Sequence, residues 1–206
     1  MAATIVAQSL GAKYLLEARA LDQVRNVVGA GGLVVYPTDT AYGLGADPFQ
    51  EKAVDRVFAA KDRPRDHAIS LAVADLPDIF RFGERTSLAE AFCTKNLPGP
   101  YTVVLRATPQ APRPMVSQDR RVAFRIPAHP IPRLLAKAVG PITATSANRH
   151  GRPAPSTCDE AREELGDRVD IYIDGGPTPL GGESTVVDLS GTRAKILRQG
   201  TPPAGA

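Results

Sequence analysis

The chain has 206 residues, 43% hydrophobic and 23% charged, which suits one ordinary globular domain with a substantial core. Its formal net charge of +3 is a mild excess rather than a nucleic-acid signature, although 19 of its 25 basic residues are arginine, a rigid fork suited to phosphate and carboxylate. No apolar run approaches the ~20 residues of a membrane span, Cys93 and Cys158 are too few for a disulfide framework or a zinc site, and residues 1–20 lack the basic start and apolar run of a signal peptide; a cytoplasmic protein is expected.

In chain order, Leu21, Val24 and Val28 share one helical face and predict a helix over 13–28. The run GAGG at 29–32 stops it, and a strand follows over 33–36. That strand runs into Pro37, Thr38, Asp39 and Thr40, with Gly43 and Gly45 beyond, which reads as a loop tolerating close backbone approach. A helix is expected over 51–60. Ser87 and Glu90 form a capping-box pattern opening another through Lys95. LPGP at 97–100 ends it, and strands follow over 101–107 and 121–126. In the second, Val122, Phe124 and Ile126 face one way and Arg121, Ala123 and Arg125 the other. A helix over 131–138, a strand in PITATSAN, a helix opened by Thr157 and Glu160 and running to Leu165, and strands over 169–173, 185–189 and 194–198 complete the pattern. The interleaving predicts a single α/β domain over 13–200, its mixed, twisted sheet flanked by helices, with a disordered tail at 201–206.

Common catalytic signatures are absent. There is no phosphate-binding P-loop. GAGGLV precedes a strand instead of opening a helix, which rules it out as a dinucleotide fingerprint. GGEST around Ser184 resembles a nucleophile elbow, but Val186 stands where the last glycine belongs. His67, His129 and His150 lack metal-ligand spacing, and no metal site is expected.

Several strand ends instead finish in small polar residues or arginine: Thr38 and Thr40, Arg125, Thr145 with Ser146 and Asn148, Ser184 with Thr185, and Arg198. In open α/β sheets strand ends border the crevice where ligands sit, so a concave ligand cleft is expected. Lys61 and Arg63, two residues apart on the turn after a helix, are expected to face one polyanion such as the phosphates of ATP.

YPTDTAYGLG, KDRP, LPGPYTVVL, VAFRIPAHP, TSAN, GGEST and ILRQG, in that order from about Leu15 to Gly200, resemble the YrdC/YciO family of threonylcarbamoyl-AMP synthases in its short single-domain form. The resemblance implies a YrdC-like fold and a nucleotidyltransferase. From L-threonine, bicarbonate or CO2, and ATP carrying Mg2+, it makes threonylcarbamoyl-AMP and pyrophosphate; a tRNA threonylcarbamoyltransferase complex acts downstream. It further implies that Lys61, Arg63, Ser146 and Asn148 are catalytic and bind ATP, with Arg198 and the backbone of Ala144 at the same nucleotide. Thr40, Arg125 and Ser184 would hold L-threonine. His67, Ala72, Arg121 and Ala154 depart from residues common in relatives and put amino-acid specificity in question.

Three other readings stay open. A YciO-like paralogue would share the fold, although the intact TSAN and Lys-x-Arg speak against it. A carbamoyl-adenylate-forming enzyme would use carbamoyl phosphate. A double-stranded RNA-binding or tRNA-contacting module would use the arginine excess, while 11 aromatics and no tryptophan argue against a stacking platform for single strands.

Overall fold

The structure, a computed structural model, describes residues 2–10, 13–65 and 67–201. Ten strands form one mixed sheet. In chain order they are β1 (Ala3–Val6), β4 (Val34–Tyr36), β5 (Gly43–Gly45), β6 (Ser70–Ala72), β7 (Tyr101–Arg106), β8 (Arg121–Arg125), β9 (Ile142–Ser146), β10 (Ile171–Asp174), β11 (Thr185–Asp188) and β12 (Lys195–Arg198). The spatial order is β1-β10-β4-β5-β9-β6-β8-β7-β11-β12. Between β1 and β4, β2 (Gln8–Leu10) and β3 (Lys13–Leu15) form a separate antiparallel pair. The α-helices among the described residues are α1 (Ala18–Gly29), α2 (Glu51–Ala60), α3 (Leu76–Phe82), α4 (Ser87–Asn96), α5 (Pro130–Val139) and α6 (Cys158–Leu165).

Alternation along the strands divides two cores. Val35, Leu44, Leu71, Val103, Leu105, Val122 and Phe124 pack with α2, α3, α4 and α6 through residues such as Val57, Phe82, Cys93 and Leu165. Val34, Tyr36, Ala72, Ile142, Ile171 and Ile173 pack on the opposite face against Val24 and Val28 of α1 and Ile131 and Leu135 of α5. Neither α1 nor α5 contributes to a core over β7, β11 and β12, and the uncovered half of this face is the floor of the cavity described below.

Several expectations are corrected. The helix expected from residue 13 starts at Ala18, because Lys13–Leu15 pairs as a strand with Gln8–Leu10. The sheet also reaches before residue 13, since Ala3–Val6 runs parallel to Ile171–Asp174. Thr86, not Ser87, caps α4, accepting from the Ala89 amide at 3.1 Å. Gly43 and Gly45 lie in strand β5 rather than on a loop. A Cβ would stand 2.9 Å from the Tyr36 ring at Gly43 and 2.8 Å at Gly45, so the glycines let that ring lie across the strand. Thr201 belongs to the fold: its amide donates to Glu183 O at 2.8 Å and its hydroxyl to Gly181 O at 2.9 Å. The rest of the expected tail, 202–206, lies outside the described residues.

The N-terminus of α5 carries a pH dependence. His129 caps the helix, Nδ1 accepting from the Ile131 amide at 3.2 Å. Burial lowers its pKa to about 4, outweighing the upward pull of Asp39. Between about pH 4 and 6.5 the unfolded chain therefore binds the extra proton, and stability falls as pH drops through that window, by at most about 3 kcal/mol. His129→Asn keeps an acceptor at the cap and removes the titration. Its urea midpoint should fall less than wild type between pH 7 and 4.5; parallel falls would contradict this assignment.

Candidate active site

The uncovered sheet face holds a cavity of about 650 Å3, within the range of small-molecule sites. Its floor is a grid set by strand register. Val104 faces Ala123 on one side and Asp188 on the other, while Thr102 faces Val186, which faces Arg198. The small middle residues leave volume; the polar residues stand around it. Arg121 and Arg125 face the cavity with Ala123, the opposite side of β8 from Val122 and Phe124, as the alternation requires.

Four arginines line the cavity; Arg121 is held by two carboxylates, and the other three are Arg63, Arg125 and Arg198. Arg125, at the end of β8, is almost buried and pairs with Asp39 at 2.7 Å, with side-chain exposures of 10% and 7%. Arg63 donates to Ala68 O at 3.2 Å and reaches Thr145 Oγ1 at 3.4 Å. Arg198, from edge strand β12, pairs with Glu183 at 2.9 Å and donates to Ser184 O at 2.9 Å. Burial lowers the pKa of both Arg63 and Arg125, and the Arg198 charge presses each further down; Glu183 offsets this at Arg63 and Asp39 at Arg125. Arginine stays charged under such loads, so the crowding leaves a pocket that favours an anion. Arg63 Nε, Arg125 Nε and Asp39 Oδ2 are buried without a hydrogen-bond partner in the ligand-free protein.

Hydroxyls also line the cavity. Thr38 Oγ1 accepts from the amides of Thr40 at 3.1 Å and Ala41 at 3.2 Å and donates to Ala41 O at 2.6 Å, folding the strand exit into a turn that leaves Thr40 facing the cavity. Ser184 Oγ lies 2.8 Å from Thr102 Oγ1. Ser146 and Ala144 line the opposite side from β9, with Ala144 O accepting from Ser70 Oγ at 2.6 Å.

Of the nine residues expected at the site, the structure brings Thr40, Arg63, Arg125, Ala144, Ser146, Ser184 and Arg198 around one cavity and leaves Lys61 and Asn148 outside its lining. The helix end explains the difference. Lys61 ends α2 as its C-cap; then Asp62 N donates to Ala59 O at 3.2 Å and Arg63 N to Phe58 O at 3.0 Å, a Schellman turn with Asp62 at φ 49°. The turn sends the two cations apart. Arg63 enters the cavity, whereas Lys61 is 1% exposed and donates to the backbone carbonyls of Ser146 and, at 2.6 Å, Asn148. Burial, then the nearby Arg63 charge, lower the Lys61 pKa to about 7. Asn148 points its amide into the next turn, donating to Arg149 O at 2.9 Å and Arg152 O at 2.7 Å. The expectation that Lys61 and Arg63 face one polyanion side by side is thus corrected for Lys61.

Sequence reasoning missed Asp39 as the partner of Arg125, Glu183 as the partner of Arg198, and Ser70 and Thr102 as lining residues. Only Asp39 and Glu183 carried a signal, each lying inside a motif beside a residue already singled out. Among the departures, Ala72 is fully buried beneath α5. Arg121 lines the cavity, held by Asp119 and by Asp188 at 2.6 Å. The His67 ring packs edge-on against His150 at 4.9 Å.

Comparisons with known proteins identify relatives of the chain. The Sua5/YciO/YrdC family model, described as telomere recombination, matches residues 26–200. Threonylcarbamoyl-AMP synthase of Pyrococcus abyssi is 38% identical over 175 residues, 84% of this chain and 52% of that protein. The same enzyme of Bacillus subtilis is 35% identical over 171 residues, 82% of this chain and 49% of that one. The chain thus spans about half the length of these two relatives. The crystal structure of P. abyssi Sua5 complexed with L-threonine superposes with a TM-score of 0.89 at 34% identity, covering 96% of this chain and 57% of that one. The crystal structure of Escherichia coli YciO gives a TM-score of 0.84 at 28% identity, covering 97% and 96%. A family model spanning most of the chain and these relatives together establish that the chain belongs to the Sua5/YciO/YrdC family.

Proposed function

We propose that the protein is a threonylcarbamoyl-AMP synthase, an ATP-using nucleotidyltransferase that supplies the threonylcarbamoyl group for tRNA modification. The observation that carries this reading is the convergence of Arg63, Arg125 and Arg198 around one cavity that also presents the hydroxyls of Thr40, Thr102, Ser146 and Ser184 over an apolar floor. Cations flanking a hollow that also offers hydroxyl groups suit a triphosphate next to an amino acid. Arg63, Arg198 and Ser146, with the Ala144 backbone, hold the phosphates of ATP; Arg125, Thr40 and Ser184 hold L-threonine, Arg125 taking its carboxylate. The L-threonine in the related P. abyssi structure supports the amino-acid half. E. coli YciO shares the fold at almost equal length, so kinship alone does not select this activity.

In the reaction the threonine amine attacks the carbon of bicarbonate or CO2 to give a carbamate, with water leaving when bicarbonate is used. A carbamate oxygen then attacks the α-phosphorus, and the bond from that phosphorus to the β-phosphate bridging oxygen breaks, releasing pyrophosphate. Negative charge gathers on phosphate oxygens, where fixed guanidinium groups lower the barrier without a protein nucleophile. Mg2+ comes on the triphosphate: among the described residues no group of three or more His, Cys, Asp or Glu is arranged to hold a metal. Threonylcarbamoyl-AMP passes to a tRNA threonylcarbamoyltransferase complex in the cytoplasm. Among the described residues no helix is long and apolar enough to cross a membrane.

Pyrophosphate release is measured with ATP, L-threonine and bicarbonate omitted in turn. The reading requires dependence on all three. Activity with carbamoyl phosphate replacing bicarbonate and threonine points to a carbamoyl adenylate instead, and duplex-RNA binding without turnover to an RNA-binding module.

A further inference from the structure

The buried ammonium of Lys61 is occupied in a way that a phosphate ligand would not be. Its Nζ donates to the carbonyls of Ser146 and Asn148, and its own carbonyl accepts from the His150 amide at 2.7 Å. One residue at the end of α2 therefore ties three positions, Ser146, Asn148 and His150, across the exit of β9. From the other side the Asn148 side chain ties down Arg149 and Arg152. The segment so fixed carries Ser146 into the cavity wall, next to Thr145, which Arg63 reaches. To touch a ligand, Lys61 would have to abandon two carbonyls that, among the described residues, it alone satisfies by side chain.

We propose that Lys61 is a positioning residue: it holds the Ser146–Asn148 strand exit in register with Arg63 so that Ser146 meets the phosphates, and it is not itself a phosphate ligand. This inference rests on the synthase reading for its kinetic consequence alone. Lys61 is the bridge between the two halves of the phosphate site, α2 with its Schellman turn on one side and β9 on the other. Uncharged donors would hold the same carbonyls, whereas an apolar side chain of equal length would hold neither.

The test compares Lys61→Met, which keeps length and loses the donors, with Arg63→Ala, which removes a proposed phosphate contact. Amide hydrogen exchange is read over 145–150 in the ligand-free protein, ATP dissociation by calorimetry, and kcat per folded molecule from pyrophosphate release. For Lys61→Met we expect exchange over 145–150 to speed at least about 10-fold, ATP affinity to stay within about 3-fold, and kcat to fall at least about 30-fold. Arg63→Ala should do the reverse in the first two, leaving exchange unchanged and weakening ATP at least about 10-fold. Lys61→Met with unchanged exchange and ATP weakened about 10-fold or more overturns the proposal in favour of direct contact. Loosened exchange with kcat per folded molecule unchanged overturns it in favour of a purely structural lysine. Should Lys61→Met fail to fold, Lys61→Gln, which keeps uncharged donors in the slot, is read the same way: kcat held within about 5-fold of wild type supports positioning, and ATP weakened about 10-fold or more refutes it. If wild type releases no pyrophosphate, the synthase reading fails, while exchange and ATP binding still decide what Lys61 does.

Discussion

Arg63→Ala is expected to cut pyrophosphate release about 100- to 1000-fold with the fold intact. The guanidinium has few structural duties to abandon. It donates to one carbonyl at 3.2 Å and reaches one hydroxyl at 3.4 Å, and its Nε is buried without a partner. Losing those bonds costs about 1 kcal/mol, so the melting temperature should shift by a few degrees at most. The Schellman turn survives, because its two bonds use the backbone amides of Asp62 and Arg63. The missing charge is one of the arginine charges that line the cavity, so ATP should bind at least about 10-fold more weakly while the threonine requirement changes little. A near-normal rate in a folded variant would remove Arg63 from the phosphate site.

The second large effect concerns Arg125, and here a simple alanine would mislead. Arg125 and Asp39 are both nearly buried and paired at 2.7 Å. Removing the arginine alone strands a buried carboxylate, at about 3–5 kcal/mol, and the variant could lose activity by unfolding. Removing both charges avoids that. Asp39→Asn with Arg125→Met should keep stability within about 2 kcal/mol of wild type, yet raise KM for L-threonine at least about 100-fold with ATP affinity within about 3-fold. The expectation follows from the proposed division of the site: Arg125 pairs with Asp39, the neighbour of Thr40 in the chain, whereas Arg63 reaches Thr145, the neighbour of Ser146. Unchanged threonine dependence with weakened ATP binding would exchange the two halves of the site.

Much of this site was legible because strand alternation is a strong signal. The pattern RVAFRI assigned Arg121, Ala123 and Arg125 to the face away from the core, and the cavity lies there. The Thr157–Glu160 capping box likewise lies where its spacing predicts. Lys61 was misread for a physical reason. Lysine is rarely buried without a partner, so a lysine on a helix-end turn reads as solvent-facing. Its partners here are backbone carbonyls, which have no residue identity and leave no trace in sequence. The Schellman turn was hidden too, because Asp62 rather than glycine takes the left-handed position. Gly43 and Gly45 gave a true signal of close approach, but the approaching group is the Tyr36 ring across a strand. The helix expected from residue 13 failed at its start: Lys13–Leu15 is claimed by pairing with Gln8–Leu10, a tertiary preference that helical periodicity cannot register.

One claim underlies both variants: a triphosphate and an amino acid occupy the same hollow, side by side. A crystal structure of the protein soaked with L-threonine and a non-hydrolysable ATP analogue tests it most directly. The account predicts both ligands over the β7, β8 and β11 floor, with the amino-acid carboxylate on Arg125 and the phosphates between Arg63, Ser146 and Arg198. Nucleotide bound in the neighbouring hollow lined by Phe58, His67, Pro114 and Val116, or threonine held away from Arg125, would contradict it.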